Sequence, residues 1–190
     1  SLPTLPKSCY FVVPPKQAPA AGKKGGLVVV LPGGDGSREF LPWVENALLP
    51  QAPDDCTGVL VTAVAWTEGQ KIIWPTEQSR VEGMHYTTGD YVRAVVAEVG
   101  KTHPFDPARA VVVAWSSSGP AVYPLLAAKD GPFARGYVAM SVWPKGLDLA
   151  AVKGRRFVLD QSPEDQTTTF SHVREAFAVL TKAGAVVRIS

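Results

Sequence analysis

Apolar residues recur along the chain with two different spacings, and the two spacings alternate. Short runs rich in Val and Leu are typical of strands buried on both faces of a sheet. Stretches with apolar residues three or four positions apart are typical of amphipathic helices. The short runs predict seven strands, at residues 10–13, 27–31, 58–66, 110–114, 136–142, 156–159 and 185–189.

Helical spacing appears between these strands. It predicts helices over residues 38–49, 87–100 and 119–128, and a last helix that begins near Phe170 and stops at Gly184. Ser37 is suited to cap the first of them, because its hydroxyl can accept a hydrogen bond from a free amide of the first turn.

Alternating strands and helices predict an α/β fold, a three-layer αβα sandwich with a mostly parallel sheet. The run at 10–13 is expected as an antiparallel edge strand, and residues 14–26, rich in Pro, Ala, Gly and Lys, as a linker-like loop after it. A chain of 190 residues fits a single domain over 1–190. In such sheets ligands bind beyond the carboxyl ends of the strands, so chemistry is expected there.

Composition narrows the classes of function. Apolar residues make up 46% of the chain, which excludes a disordered protein, and the longest nearly apolar run, 59–66, is too short to span a bilayer. A net charge of +2 without a basic cluster argues against nucleic acid as a partner.

Cys9 and Cys56 fall at opposite ends of a predicted strand pair, so no disulfide between them is expected. No spacing typical of a metal or cofactor site is present, and none is expected.

The most informative segment for chemistry is Val111–Pro120, where a strand runs into a helix through three serines. The G-x-S-x-G elbow places a nucleophilic serine between small residues on a strained turn. Two registers fit, with Ser116 or with Ser117 as the nucleophile. Ser116 is favoured, because Ser117 would put the large Trp115 two residues before the nucleophile. The Ser117 amide then lies at a helix N-terminus, where it can stabilise an oxyanion.

Two further loops follow strands at the same edge. Residues 31–37 (LPGGDGS) do not have the spacing of a phosphate loop, but they suit a backbone oxyanion donor, with Gly34 as the first candidate. The segment 157–165 (FVLDQSPED) offers two carboxylates, Asp160 at the strand end and Asp165 in the loop, either of which could orient a histidine.

The motifs LPGG, WSSSGP and SPED follow one another along the chain in an order that resembles the α/β-hydrolase superfamily. More narrowly, the chain resembles the small esterases of the phospholipase/carboxylesterase and feruloyl-esterase-like type. The resemblance implies Ser116 as nucleophile, Asp165 as acid, and the Gly34 and Ser117 amides as oxyanion hole. It also implies an acyl or aromatic pocket lined by Trp115, Trp66 and Trp74. The implied function is hydrolysis of a small-molecule or polysaccharide-linked carboxylic ester through an acyl-enzyme.

The chain departs from that family at several positions. Pro32 stands where the family has His, and Ala114 and Ser118 stand where glycines are usual. The family places its histidine base after the last strand, whereas this chain ends on that strand.

None of the three histidines is favoured as the base. His103 is expected at the opposite edge of the sheet, whereas His85, on the long 67–86 connection, is expected at the same edge as the serine and could reach the site. His172 is expected near that edge at the start of the last helix, but a helical position so close to Asp165 gives it poor reach. We interpret them as surface or supporting residues and expect the base shortly after Ser190. The alternatives are a non-catalytic binding domain of the same fold, and a thioesterase or peptidase on the same machinery.

Overall fold

A single seven-stranded sheet forms the centre of the computed structural model, which describes residues 1–190. The strand order is β1-β3-β2-β4-β5-β6-β7. The strands are β1 Tyr10–Val13, β2 Gly25–Leu31, β3 Cys56–Val61, β4 Phe105–Trp115, β5 Arg135–Ala139, β6 Arg156–Asp160 and β7 Val186–Ile189.

Six of the seven strands are parallel, and β1 is the antiparallel exception at the edge. It pairs with β3, with Tyr10 opposite Val61 and Val13 opposite Gly58. Every residue of β2 is buried, as its unbroken apolar run predicts. The predicted mostly parallel sheet and its antiparallel edge strand are therefore confirmed.

Helices cover the two faces of the sheet unequally. On one face the larger core cluster joins α2 (Thr88–Thr102), α3 (Gly119–Ala127) and α4 (Phe170–Lys182) to the sheet. On the other face a smaller cluster of six buried residues joins Val44 and Leu49 to β2, β3 and β4. The result is the predicted three-layer sandwich, with its thicker cover on the α2–α4 face.

The segment after β2 is less regular than the single helix that its spacing predicts. It consists of a 3-10 turn at Arg38–Phe40, a one-turn helix α1 at Leu41–Trp43, a wider π turn at Val44–Leu48 and a second 3-10 turn at Leu49–Gln51. The prolines at 42 and 50 each start one of these short turns, because proline cannot donate the backbone hydrogen bond of a continuous helix.

Several predicted strand ends move in the structure. β3 runs from Cys56 to Val61, so residues 62–66 leave the sheet. β5 ends at Ala139 instead of 142, because Met140 has a φ of 46° and turns the chain out of the sheet. Strand bounds depend on such local turns, which apolar periodicity does not report.

Two further features concern the chain as a whole. No helix combines the length and the apolar character needed to cross a lipid bilayer. Cys9 and Cys56 are free thiols, as expected, because the β1–β3 register puts them at opposite ends of the strand pair.

The start of α2 allows a test of the helix assignments. The Thr87 hydroxyl accepts from the Asp90 amide at 3.0 Å, and the Asp90 carboxylate accepts from the Thr87 amide at 3.1 Å. We expect Thr87→Ala to lower the free energy of unfolding by about 1 kcal/mol, because a first-turn amide loses its acceptor. Chemical denaturation measures this. Thr102→Ala, at the exposed end of the same helix, should change stability by less than half as much; equal losses would contradict the capping role.

Candidate active site

The turn between β4 and α3 holds Ser116 in a strained conformation. β4 ends at Trp115, a 3-10 turn covers Ser116–Ser118, and α3 begins at Gly119. Ser116 has a φ of 53°, in the left-handed region that non-glycine residues rarely adopt. The residue is exposed and its hydroxyl makes no hydrogen bond within the protein. A strained serine with a free hydroxyl is suited to act as a nucleophile.

The two serines that follow have different surroundings. The Ser117 hydroxyl donates to the Gly34 carbonyl at 2.8 Å. The Ser118 hydroxyl is fully buried, lies 2.6 Å from the Leu31 carbonyl and accepts from the Trp115 amide at 3.1 Å. Both side chains therefore hold the turn at residues 116–118 against the end of β2 and the loop after it, and of the three hydroxyls only that of Ser116 makes no hydrogen bond within the protein.

The loop after β2 presents an unused backbone amide beside the elbow. Gly34 is exposed, has a φ of 59°, and its amide donates no hydrogen bond within the protein. Gly33 lies so close to the Trp115 indole that a Cβ at this position would sit 2.6 Å from the ring. The Ser117 amide lies in the first turn of a helical segment, where amides have no intrahelical acceptor. The geometry thus leaves two candidate oxyanion donors near each other.

Asp165 lies in the loop that follows β6, where its carboxylate accepts three hydrogen bonds. Oδ1 accepts from the amides of Thr167 at 2.7 Å and Thr168 at 3.0 Å, and Oδ2 accepts from Gln161 Nε2 at 2.9 Å. These donors, the Thr168 amide first, lower the pKa of Asp165 below its ordinary value. An ionised carboxylate with capacity left on Oδ2 can accept one more donor, such as an imidazole N–H.

Asp160, the other carboxylate left open by the sequence, has a different partner. It is the last residue of β6, and its Oδ2 accepts from the Tyr137 hydroxyl. Burial first, and then this carboxylate, raise the pKa of Tyr137 to about 12. Because Asp160 is committed to a strand-to-strand contact, Asp165 remains the candidate for orienting a histidine.

None of the three histidines is hydrogen-bonded to Ser116 or Asp165. His103 follows α2 and its ring contacts the Thr102 hydroxyl, at the edge where β4 begins. His85 packs edge-on against the Trp66 ring. His172 lies in the first turn of α4, with its amide bonded to the Thr169 carbonyl. The interpretation of these residues as supporting side chains agrees with these positions.

The structure corrects part of the expected aromatic pocket. Trp66 and Trp74 are buried in the core, 8% and 3% exposed, so neither can contact a substrate there. The indole N–H of Trp74 donates to the Pro32 carbonyl at 3.2 Å, so this residue supports the loop after β2 from behind. Only Trp115, which is half-buried, faces an open space.

That space is an apolar groove of about 700 Å³ on the less covered face of the sheet. Trp115 contacts Phe40 and Trp43 edge-on, with ring centroids 5.2 and 5.0 Å apart. The groove reaches the carboxyl edge of the strands at residues 115, 139, 140 and 160. The end of the groove at these residues therefore lies beside the turn that carries Ser116, where the apolar part of a ligand could bind.

Sequence reasoning missed two residues at this edge, Met140 and Ser141. Met140 has a φ of 46°, and the Ser141 hydroxyl donates to the Ser116 carbonyl at 2.9 Å. The only sequence signal is their position directly after β5, the strand beside the elbow strand.

The site contains no candidate metal centre. No group of three or more His, Cys, Asp or Glu side chains is placed to hold a metal ion.

Solved structures share this architecture. A carboxylesterase from Bacillus cereus superposes with a TM-score of 0.72 at 15% identity, over 97% of this chain and 84% of its own. Esterase PE8 gives 0.72 at 18% identity, over 96% and 87% of the two chains. MGS-M1, an α/β hydrolase from a Medee basin deep-sea metagenome library, gives 0.62 at 12% identity, over 87% and 67%. The chain has the α/β-hydrolase fold.

The predicted fold class is thereby confirmed. At sequence identities this low, the likeness shows a shared fold and does not show a shared reaction. No family model matches the sequence, and no curated protein matches it either.

The strain at Ser116 gives a first test of the site. We expect Ser116→Gly to be more stable than Ser116→Ala by about 1 kcal/mol, because only glycine adopts a positive φ without cost. Denaturation of both variants measures the difference. At Ser171, in the first turn of α4, the order should reverse, since glycine weakens an ordinary helix. The same order at both positions would contradict the strain.

Asp165 gives a second test, through pH. Its pKa is lower in the folded chain than the ordinary aspartate value, so its stabilisation is present above that value and is lost as pH falls through the folded pKa. Thermal unfolding should show wild type more stable than Asp165→Asn at pH 6, with the gap closing below about pH 4. Asp130→Asn, which removes an exposed carboxylate without hydrogen bonds, should show a small gap throughout. A gap for Asp165→Asn that is constant with pH would contradict the assignment.

Proposed function

We propose that this protein is a serine hydrolase that cleaves carboxylic esters through an acyl-enzyme. The observation that carries the proposal is Ser116, a strained and exposed residue with an unbonded hydroxyl between β4 and α3. The Gly34 loop on one side and the Asp165 loop on the other support it, because both open at the same edge of the sheet.

In the proposed reaction the Ser116 Oγ attacks the ester carbonyl carbon. As the tetrahedral intermediate forms, its oxygen takes up negative charge and accepts hydrogen bonds from the Gly34 and Ser117 amides. Collapse of the intermediate breaks the bond to the alcohol, which leaves with a proton and produces the acyl-enzyme. Water then attacks the acyl carbon, and the acid and free Ser116 are released.

A histidine base takes the proton of Ser116 and is oriented by Asp165. We place this base beyond residue 190. The Ser190 carbonyl accepts from the Gln161 amide at 3.4 Å, and the Ser190 amide donates to the Leu159 carbonyl at 2.9 Å. Gln161 in turn holds the Asp165 carboxylate. A residue that follows Ser190 would thus enter the site on the side of Asp165.

The substrate class follows from the groove. The rings of Trp115, Trp43 and Phe40 form an apolar wall at the edge where Ser116 lies. We propose that this wall binds the apolar part of a small-molecule ester, whether free or attached to a polysaccharide. Such a wall favours aliphatic and aromatic groups over charged ones.

Active-site labelling tests the proposal. The full native chain should react with a fluorophosphonate probe and hydrolyse a short-chain p-nitrophenyl ester. Ser116→Ala should abolish labelling and lower kcat by about 10⁴-fold or more, because the nucleophile is gone. Ser171→Ala, which removes an exposed hydroxyl on α4, should keep both activities.

The same measurements separate the alternatives. Absence of labelling in wild type would overturn the proposal in favour of a non-catalytic binding domain. Faster turnover of a thioester or a peptide than of the matched oxygen ester would assign the same machinery to thioesterase or peptidase activity.

A further inference from the structure

A buried hydroxyl supports the strained residue of the elbow. Ser141 is 6% exposed, and its hydroxyl donates to the Ser116 carbonyl at 2.9 Å. The contact depends on glycine at position 119, since a Cβ there would overlap the Ser141 side chain. The Ser116 carbonyl is therefore held from the segment that follows β5, the neighbouring strand, as well as by the Gly119 amide of its own helix.

Ser141 is itself directed by the turn at Met140. The Met140 amide donates to the Asp160 carbonyl at 2.8 Å. The Met140 carbonyl accepts from the Thr168 hydroxyl at 3.1 Å. A φ of 46° at a non-glycine residue persists only when its surroundings hold it, and these two bonds supply that hold.

Thr168 connects the same turn to the acid loop. Its side chain is buried, 6% exposed, and its amide donates to Asp165 Oδ1 at 3.0 Å. Its carbonyl accepts from Gln161 Nε2 at 2.8 Å, and the same nitrogen reaches Asp165 Oδ2. Hydrogen bonds thus connect Asp165 to Thr168, Thr168 to Met140 and Ser141 to Ser116, and the peptide bond between Met140 and Ser141 completes the path.

We propose that Thr168 and Ser141 are positioning residues that set the distance between the Asp165 carboxylate and the Ser116 hydroxyl. This inference rests on the proposed function, because it concerns the geometry of that reaction. Neither residue touches the substrate. Thr168 acts through the Met140 turn, which directs Ser141, and Ser141 holds the Ser116 carbonyl directly.

The physical reason is that the reaction rate depends steeply on the relative positions of the nucleophile, the base and the acid. A displacement of about 1 Å can cost about a hundredfold in rate even when it arises far from the reacting atoms. Loss of the Thr168 hydroxyl leaves the Met140 carbonyl without a donor. Loss of the Ser141 hydroxyl leaves the Ser116 carbonyl with the Gly119 amide of its own helix as its remaining donor. Either change frees one of the two strained turns to relax away from the working geometry.

The test compares variants of the full native chain by fluorophosphonate labelling and ester hydrolysis. Thr168→Val and Ser141→Ala should each slow labelling by about tenfold, and lower kcat with KM nearly unchanged, because the apolar wall is intact. Thr168→Ser keeps the hydroxyl and should restore the rate. Thr181→Val, the same change at an exposed position of α4, should label like wild type.

Coupling between the two positions adds a readout that general destabilisation would not produce. Because Thr168 reaches Ser116 through Met140 and Ser141, its effect depends on the Ser141 hydroxyl, and the double variant should lose less than the product of the single losses. Multiplicative losses, or Thr168→Val and Ser141→Ala labelling at the wild-type rate, would overturn the inference while leaving the esterase proposal intact.

A measurement that needs no activity keeps the inference testable if wild type does not label. In amide NMR spectra, Thr168→Val should shift the signals of Ser116 and Ser117, which follow a strand two places away in the sheet, and Thr181→Val should not. Unchanged Ser116 and Ser117 signals would overturn the inference. Thr168→Ala serves in both experiments if the valine variant does not fold.

Discussion

The register of neighbouring parallel strands controls every distance at the proposed site. Leu31 pairs with Ala114 between β2 and β4, and Trp115 pairs with Ala139 between β4 and β5. Ala139 in turn pairs with Asp160 between β5 and β6. The loop bearing Gly34, the elbow bearing Ser116, the Met140 turn and the Asp165 loop therefore begin at one level. A slip in one ladder would separate groups that lie far apart in sequence.

Two strained residues sit side by side where this register ends. Ser116 and Met140 have φ values of 53° and 46°, and each directly follows its strand. Side chains of the protein satisfy the backbone carbonyls around them. The carbonyls of residues 31, 34, 116 and 140 each accept a hydrogen bond from a serine or threonine hydroxyl. These bonds offset the cost of the two unusual conformations.

The unequal cover of the two sheet faces gives the site its asymmetry. α2, α3 and α4 bury one face, so residues such as Trp74 become part of the core and support the Gly34 loop from within. On the other face only residues 38–51 cover β2 and β3, which leaves the apolar groove beside Trp115. A tryptophan on the first face therefore stabilises the fold, whereas one on the second face can meet a ligand.

Much of the architecture is determined by the sequence alone. Runs of Val and Leu with helical stretches between them predict a parallel three-layer sandwich, because each pattern suits one burial geometry. The small residues around Ser116 predict an elbow for the same local reason, and the structure places a positive φ there. Strand ends and the broken helix at 38–51 are less predictable, since they depend on single turns and prolines.

Only the tertiary structure decided which polar groups meet. The residues alone left both Asp160 and Asp165 open, and only the family resemblance favoured Asp165. The structure gives the two carboxylates different partners, because Tyr137 engages Asp160 and the loop amides engage Asp165. It also removed Trp66 and Trp74 from the pocket and brought in Met140 and Ser141, which carry no motif. The reason is that local pattern reports burial and turn geometry, whereas contacts between residues 116, 141 and 168 arise only after three strands have paired.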